Sequence, residues 1–149
     1  MSRRARGFTT VELMVTVAIL AVLTAIAVPS LRGLVQQQRV KTASFDIYAG
    51  LILARSEAIK RNASVTVTPT GADWAAGWTT ADANGAIAKQ DPFSGVTIAG
   101  PGTVTFNGMG RLSGAATSFS ISSTSVDASK FRCVSLDISG RPVTKEGAC

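Results

Sequence analysis

The chain has no histidine and only two cysteines, Cys133 and Cys149, in 149 residues. The first absence removes the commonest general base and metal ligand, and with it any Ser/His/Asp set. The second leaves no Cys/His cluster with metal-ligand spacing. No acid precedes Glu12, and no charged residue lies between Leu13 and Leu31. There is no internal repeat and no low-complexity tail. Catalysis, a cofactor and a resident metal are therefore not expected. Gly108-Met109-Gly110-Arg111-Leu112-Ser113-Gly114 approaches a G-x-G-x-x-G phosphate loop, but Ser113 stands at the third glycine position, so a hairpin turn is the expectation. Asn62-Ala63-Ser64 fits a glycosylation sequon and is read as chance.

What is present begins with a basic head. Arg3, Arg4 and Arg6 precede Gly7-Phe8-Thr9-Thr10-Val11-Glu12, and an uncharged run follows in which only Thr16, Thr24 and Ser30 are polar. As a helix, Leu13–Leu31 rises roughly 28 Å, close to a hydrocarbon core of about 30 Å. Basic residues beside such a run stay in the cytoplasm, which puts the rest of the chain outside it. A secretory signal has an apolar core of about 7–15 residues; Ala25-Ile26-Ala27 would supply its cleavage site, but the run is too long. Ser2-Arg3-Arg4 hints at a twin-arginine signal, with Arg6 where that motif wants an apolar residue. A plain membrane anchor leaves Glu12 unexplained, because a carboxylate in an apolar helix is costly and normally has a partner. Cleavage between Gly7 and Phe8 would create an α-amino group, and a neighbouring copy shifted along the axis could use it to neutralise Glu12.

Gly7-Phe8, Glu12 at the fifth position after the glycine and Pro29 at the twenty-second resemble the type IV prepilin signature. The resemblance implies a prepilin peptidase that cuts after Gly7 and N-methylates Phe8. It also implies a helix that packs with like helices, with Glu12 and Pro29 as assembly residues.

About 118 residues follow Leu31, enough for one modest core. The formal charge of +6 falls to +3 without the three leader arginines, so the basic balance is weak support for a nucleic-acid partner. Both cysteines fall in the part expected outside the cytoplasm, where a disulfide is favoured; it would contribute about 3 kcal/mol in the chain-entropy model. Pro29 lacks an N–H and is expected to kink or loosen the helix. Beyond it Leu34, Val35, Phe45, Tyr48, Ile52 and Ile59, with Ala49, follow a 3.6-residue period and are expected to form the buried face. Asn62 is the expected stop.

After Asn62 the period becomes two. Val65/Val67, Val104/Phe106, Phe119/Ile121 and Val134/Leu136/Ile138 alternate with polar residues. Asn84-Gly85 and Ser139-Gly140 are hairpin-turn candidates. Trp74 and Trp78 are expected in the core or at a sheet edge, and Ser122–Ser129 as a loop. The expected fold is α+β, a long N-terminal helix packed on a C-terminal antiparallel β-sheet.

Leu53-Ala54-Arg55-Ser56-Glu57-Ala58-Ile59-Lys60-Arg61-Asn62, Gly77-Trp78 with Asn84-Gly85, Val104-Thr105-Phe106-Asn107 with Gly110-Arg111, and Gly140-Arg141 are similar to the GspH/FimT-type pseudopilins and minor pilins. The resemblance implies a pilin-like fold with four parts: a basic leader at 1–7, a transmembrane and assembly helix at 8–31, an amphipathic half at 32–62, and a periplasmic β-rich domain at 63–149. Its partners would be the prepilin peptidase, other pilins in a helical bundle and the inner membrane. The filament would be a type IV pilus or a type II secretion pseudopilus, with Arg111 and Arg141 tilting the balance towards the pilus. Some FimT-like proteins bind DNA through a C-terminal G-R-x-R motif. Here the sequence is Gly140-Arg141-Pro142-Val143, so the second arginine is missing, and Lys145 compensates only in part. Arg111, Lys130 and Arg132 complete a basic C-terminal third, and phosphate contacts by so few cations make a weak, salt-sensitive site.

Overall fold

The computed structural model describes residues 8–149, apart from the side chains of residues 27–30 and 32. The basic leader and Gly7 therefore lie outside the described residues, as does the Pro29 side chain. The chain divides into two compact units, Met1–Leu34 and Val35–Cys149. One helix, α1 (Thr10–Arg61), contributes to both.

In the first unit the helix starts with a cap. Thr9 Oγ1 accepts a hydrogen bond from the Glu12 amide at 3.2 Å, and the Thr9 carbonyl accepts one from Leu13 at 3.1 Å. Thr9-Thr10-Val11-Glu12 has the spacing of a capping box. The two described hydroxyls of the apolar run bond back to their own helix: Thr16 to the Leu13 carbonyl at 2.8 Å, and Thr24 to Leu20 at 2.9 Å and Ala21 at 3.0 Å. Side chains that satisfy themselves in this way suit surroundings that offer no water. Every residue from Phe8 to Ile26 is exposed. Among the described residues no helix is long and apolar enough to cross a membrane; the expected Leu13–Leu31 span includes residues 27–30, whose side chains are outside that set.

In the second unit the helix buries Val40, Ala43, Ile47, Leu51, Ala54 and Ala58, spaced three or four apart as one helical face requires. The expected face was a different one. Phe45, Tyr48, Ile52 and Ile59 are exposed, and so are Leu34, Val35 and Ala49. The chain packs its small and medium residues inward and leaves the bulky stripe outside. The helix ends at Arg61 because Asn62 takes a left-handed φ of 47°, and the Ala63 amide then bonds the Ala58 carbonyl at 3.2 Å.

Two antiparallel four-stranded sheets form, where the alternation suggested one. The first holds β1 (Val65–Pro69), β2 (Trp78–Asp82), β3 (Gly85–Gln90) and β5 (Val104–Phe106) in the order β3-β2-β1-β5. The second holds β4 (Thr97–Ala99), β6 (Thr117–Ser122), β7 (Arg132–Leu136) and β8 (Pro142–Glu146) in the order β4-β6-β7-β8. Their apolar positions meet the helix face in one core that includes Val65, Val67, Phe106, Phe119, Ile121 and Val134. Trp74 and Trp78 belong to it; Trp74 sits edge-on to Phe119 at 4.8 Å, with its Nε1 donating to the Pro101 carbonyl at 2.7 Å. Ile138 was expected inside but is exposed, because β7 stops at Leu136 and the chain turns. The β2–β3 hairpin turns at Ala83-Asn84, with Asp82 paired to Gly85.

Candidate assembly site and C-terminal cations

Glu12 lies in the first turn of α1, which Thr9 caps, and Phe8 stands just before the cap, four residues ahead of Glu12. An acid in the first turn also meets the positive end of the helix dipole. Glu12 therefore stands at the head of the apolar segment, at the capped end of the helix, and not in its middle. The sequence signal for this was the T-x-x-E spacing, which the length of the apolar run overshadowed.

At the other end of the chain Cys133 and Cys149 are disulfide-bonded, with their Cα atoms 5.0 Å apart. The bond ties the C-terminus to β7, and Cys149 Sγ lies 3.1 Å from the Phe119 carbonyl oxygen. β8 is an edge strand paired only with β7, so the disulfide closes the chain behind it.

The C-terminal cations have different surroundings. Arg132 is half-buried and pairs with Glu146 at 2.7 Å, which removes it from a free basic patch. Arg141, Val143 and Lys145 are exposed, and their even spacing puts them on one face of the extended chain. The Arg111 and Arg141 loops adjoin. The Leu112 amide donates to the Ile138 carbonyl at 3.3 Å, and a Cβ at Gly140, whose φ is +77°, would collide with the Gly110 carbonyl oxygen. Each loop is held by a side chain to which the sequence reading gave no such role. Asn107 Oδ1 accepts from the Met109 and Arg111 amides, both at 3.0 Å. Asp137 accepts from the Ser139 hydroxyl at 2.6 Å and the Arg141 amide at 3.1 Å, and the Ser139 bond chiefly holds its carboxyl below the usual range.

Where the helix ends, Arg61 bridges Glu57 at 2.7 Å and Asp82 at 3.0 Å, joining α1 to the β2–β3 hairpin. Among the described residues no group of His, Cys, Asp and Glu could hold a metal ion.

Residues 43–140 match the family described as type II transport protein GspH, and residues 2–28 match the prokaryotic N-terminal methylation motif. The chain belongs to the GspH family. Two crystal forms of the type IV minor pilin FimU from Pseudomonas aeruginosa share its fold. The form in space group P21 superposes with a TM-score of 0.66 at 22% identity, covering 72% of this chain and 89% of FimU. The form in space group P65 gives 0.63 at 23%, covering 70% and 91%. No curated protein sequence matches the chain. This GspH-family chain has the structural role of a minor pilin or pseudopilin, and its family and fold are those of structural pilins. Such proteins are processed by a prepilin peptidase, assemble with other pilins and are anchored in the inner membrane before assembly.

Proposed function

We propose that this chain is cut after Gly7, N-methylated on Phe8 and inserted by its N-terminal helix into a filament of like subunits. Leu13–Leu31 then spans the inner membrane, with the leader in the cytoplasm and residues 63–149 in the periplasm. The observation that carries this is the first turn of α1: a carboxylate at Glu12, four residues after Phe8, heading a segment whose described side chains are all exposed. The new amine of one copy neutralises Glu12 of the next, and Pro29 loosens the helix where its apolar part gives way to its amphipathic part. Mass spectrometry of protein extracted from membranes tests the first step. The expected mature chain starts at N-methylated Phe8; a chain that retains Met1, or starts at Val28, removes the amine on which the assembly depends.

A second reading has one observation in its favour, the meeting of the Arg111 and Arg141 loops. With Lys145 they offer a few exposed cations to a phosphate backbone, while Arg132 is spent on Glu146. Binding would be weak and salt-dependent. A DNA mobility shift at low salt that is lost in Arg141→Ala/Lys145→Ala supports it, and no shift with the wild-type protein removes it. The choice between pilus and pseudopilus falls to a deletion strain scored for twitching and DNA uptake against exoprotein release.

A further inference from the structure

The second unit carries a preformed recess between the start of its part of α1 and the loop that joins β3 to β4. It holds about 400 Å³, and across it Val35, Arg39 and Thr42 of the helix face Phe93, Ser94 and Val96 of the loop. The loop is held firmly. The Phe93 amide donates to the Ala75 carbonyl at 2.8 Å, and the Phe93 ring stacks on Trp78 with centroids 5.9 Å apart. Gly95, with a φ of +76°, brings the backbone so close to the helix that a Cβ there would come within 3.0 Å of Arg39 Nη1. The same Nη1 donates to the Ser94 carbonyl at 3.3 Å.

The walls combine apolar side chains (Val35, Phe93 and Val96) with the hydroxyls of Thr42 and Ser94 and one cation. Among the described residues Arg39 belongs to no ion pair, and its bond to Ser94 leaves most of its five N–H donors for another acceptor. No acid lines the recess. Asp91 is exposed beside it, and Asp46, one turn beyond Thr42, lies in a separate depression opposite Lys89. A planar guanidinium with free donors, set at the rim of an apolar hollow, matches a phosphate that carries hydrocarbon.

Chain length brings that chemistry within reach. Val35 follows Leu31 by four residues, about 6 Å of helix and at most roughly 14 Å by any path. Headgroups fill a layer of about 5–7 Å beyond the hydrocarbon on each side, and a long cationic side chain can extend back to it. The recess therefore lies within reach of the periplasmic headgroups once Leu13–Leu31 spans the membrane, a step that rests on the proposed function. We infer that the recess binds a phospholipid of that leaflet, with its phosphate on Arg39 and the upper part of its acyl chains against Val35, Phe93 and Val96. The contact docks the exported domain on the bilayer before assembly and must break when the subunit leaves the membrane.

Full-length protein in vesicles of phosphatidylethanolamine and phosphatidylglycerol tests this. Cys133 and Cys149 are bonded to each other, so a cysteine at the exposed Thr97, next to Val96, can be labelled alone with a fluorophore. A label at the exposed Met109 is the distant control, because its loop lies against Arg55, about 24 Å further along α1 than Arg39. A trace nitroxide at headgroup depth should quench the Thr97→Cys label and leave the Met109→Cys label bright. The quenching should be lost on Arg39→Gln, with an unchanged melting temperature, and in a bilayer of uncharged galactolipid, which offers the same depth without phosphate. Quenching that persists in both would mean that the loop is near the bilayer only through its tether, and overturns the inference. So would a Thr97→Cys label that is never quenched, or quenching abolished by inorganic phosphate, which would mark a site for a free anion. A chain that resists carbonate extraction yet shows no quenching defeats the recess alone; a chain that carbonate strips from the vesicles defeats the membrane-spanning reading itself.

Discussion

The two halves of α1 treat apolar side chains in opposite ways. From Phe8 to Ile26 every residue is exposed, and the hydroxyls of Thr16 and Thr24 bond to their own backbone. From Val40 to Ala58 one face is fully buried under the strands. Yet even there the bulkiest stripe, with Phe45, Tyr48 and Ile52, stays outside. The first half leaves its apolar side chains exposed throughout. The second shows that a helix packed on strands can still leave its bulkiest apolar stripe exposed. Exposed apolar area of this extent marks an interaction surface.

The comparison breaks most visibly on truncation. Leu51→Ala should destabilise the β-rich domain by about 2–5 kcal/mol, whereas Leu20→Ala should leave its denaturation midpoint unchanged; chemical unfolding of both variants reads the difference. Removing the tie behind β8 should come next. Cys149→Ser is expected to cost roughly 3 kcal/mol, seen as a lowered midpoint, with no change in the helicity of the first half. Within the second half the contrast is sharper still. Ile52→Ala should shift stability by no more than about 0.5 kcal/mol, because its side chain is not part of the core, yet it should reduce recovery of the protein in sheared fibres.

The smallest effect concerns pH. Glu57 and Asp82 are held below their ordinary range, Glu57 chiefly by Arg61 and Asp82 chiefly by the Asn84 amide. A lowered folded-state value stabilises the fold above the unfolded value, near 4, and that stability is lost as pH falls through the folded one. Asp46 works the other way: its raised value costs stability once pH rises through the folded one. Asp46→Asn should therefore raise the melting temperature slightly at neutral pH and leave it unchanged in acid. A thermal melt series across pH 3–7 distinguishes the two directions, which Arg61→Ala and Asp46→Asn should flatten separately.

Much of this was legible in the residues. Val65/Val67, Phe119/Ile121 and Val134/Leu136 announced strands because alternation leaves one apolar face, and that face is buried. Asn62 announced the helix end, and two cysteines in a part of the chain expected outside the cytoplasm announced their own pairing. The buried face of α1 was not legible. Both of its stripes are apolar, and periodicity weighted by size favours Phe45 and Tyr48. The core instead takes Ala43, Ser44, Ala54 and Ala58, whose small side chains let the helix lie close against two sheets. That choice depends on the shape of the facing strands, which no local pattern carries. Ile138 misled for a similar reason: the period of two runs on past the point where Asp137 and Gly140 turn the chain. In the candidate assembly site the residues were legible and the geometry was not. Glu12 drew attention as a lone acid, while Thr9, which caps the turn that holds it, looked like one more residue of the leader junction.

Thr9 also makes the central claim separable from its simplest competitor. A glutamine at position 12 can still serve a capping box but carries no charge to meet an amine. The most direct test is the amount of Glu12→Gln protein in sheared fibres relative to wild type, with membrane levels and Cys133–Cys149 bond formation checked in parallel. The account predicts a folded, membrane-held Glu12→Gln chain absent from fibres. Wild-type incorporation would show that Glu12 only caps its helix, and would contradict charge pairing between subunits.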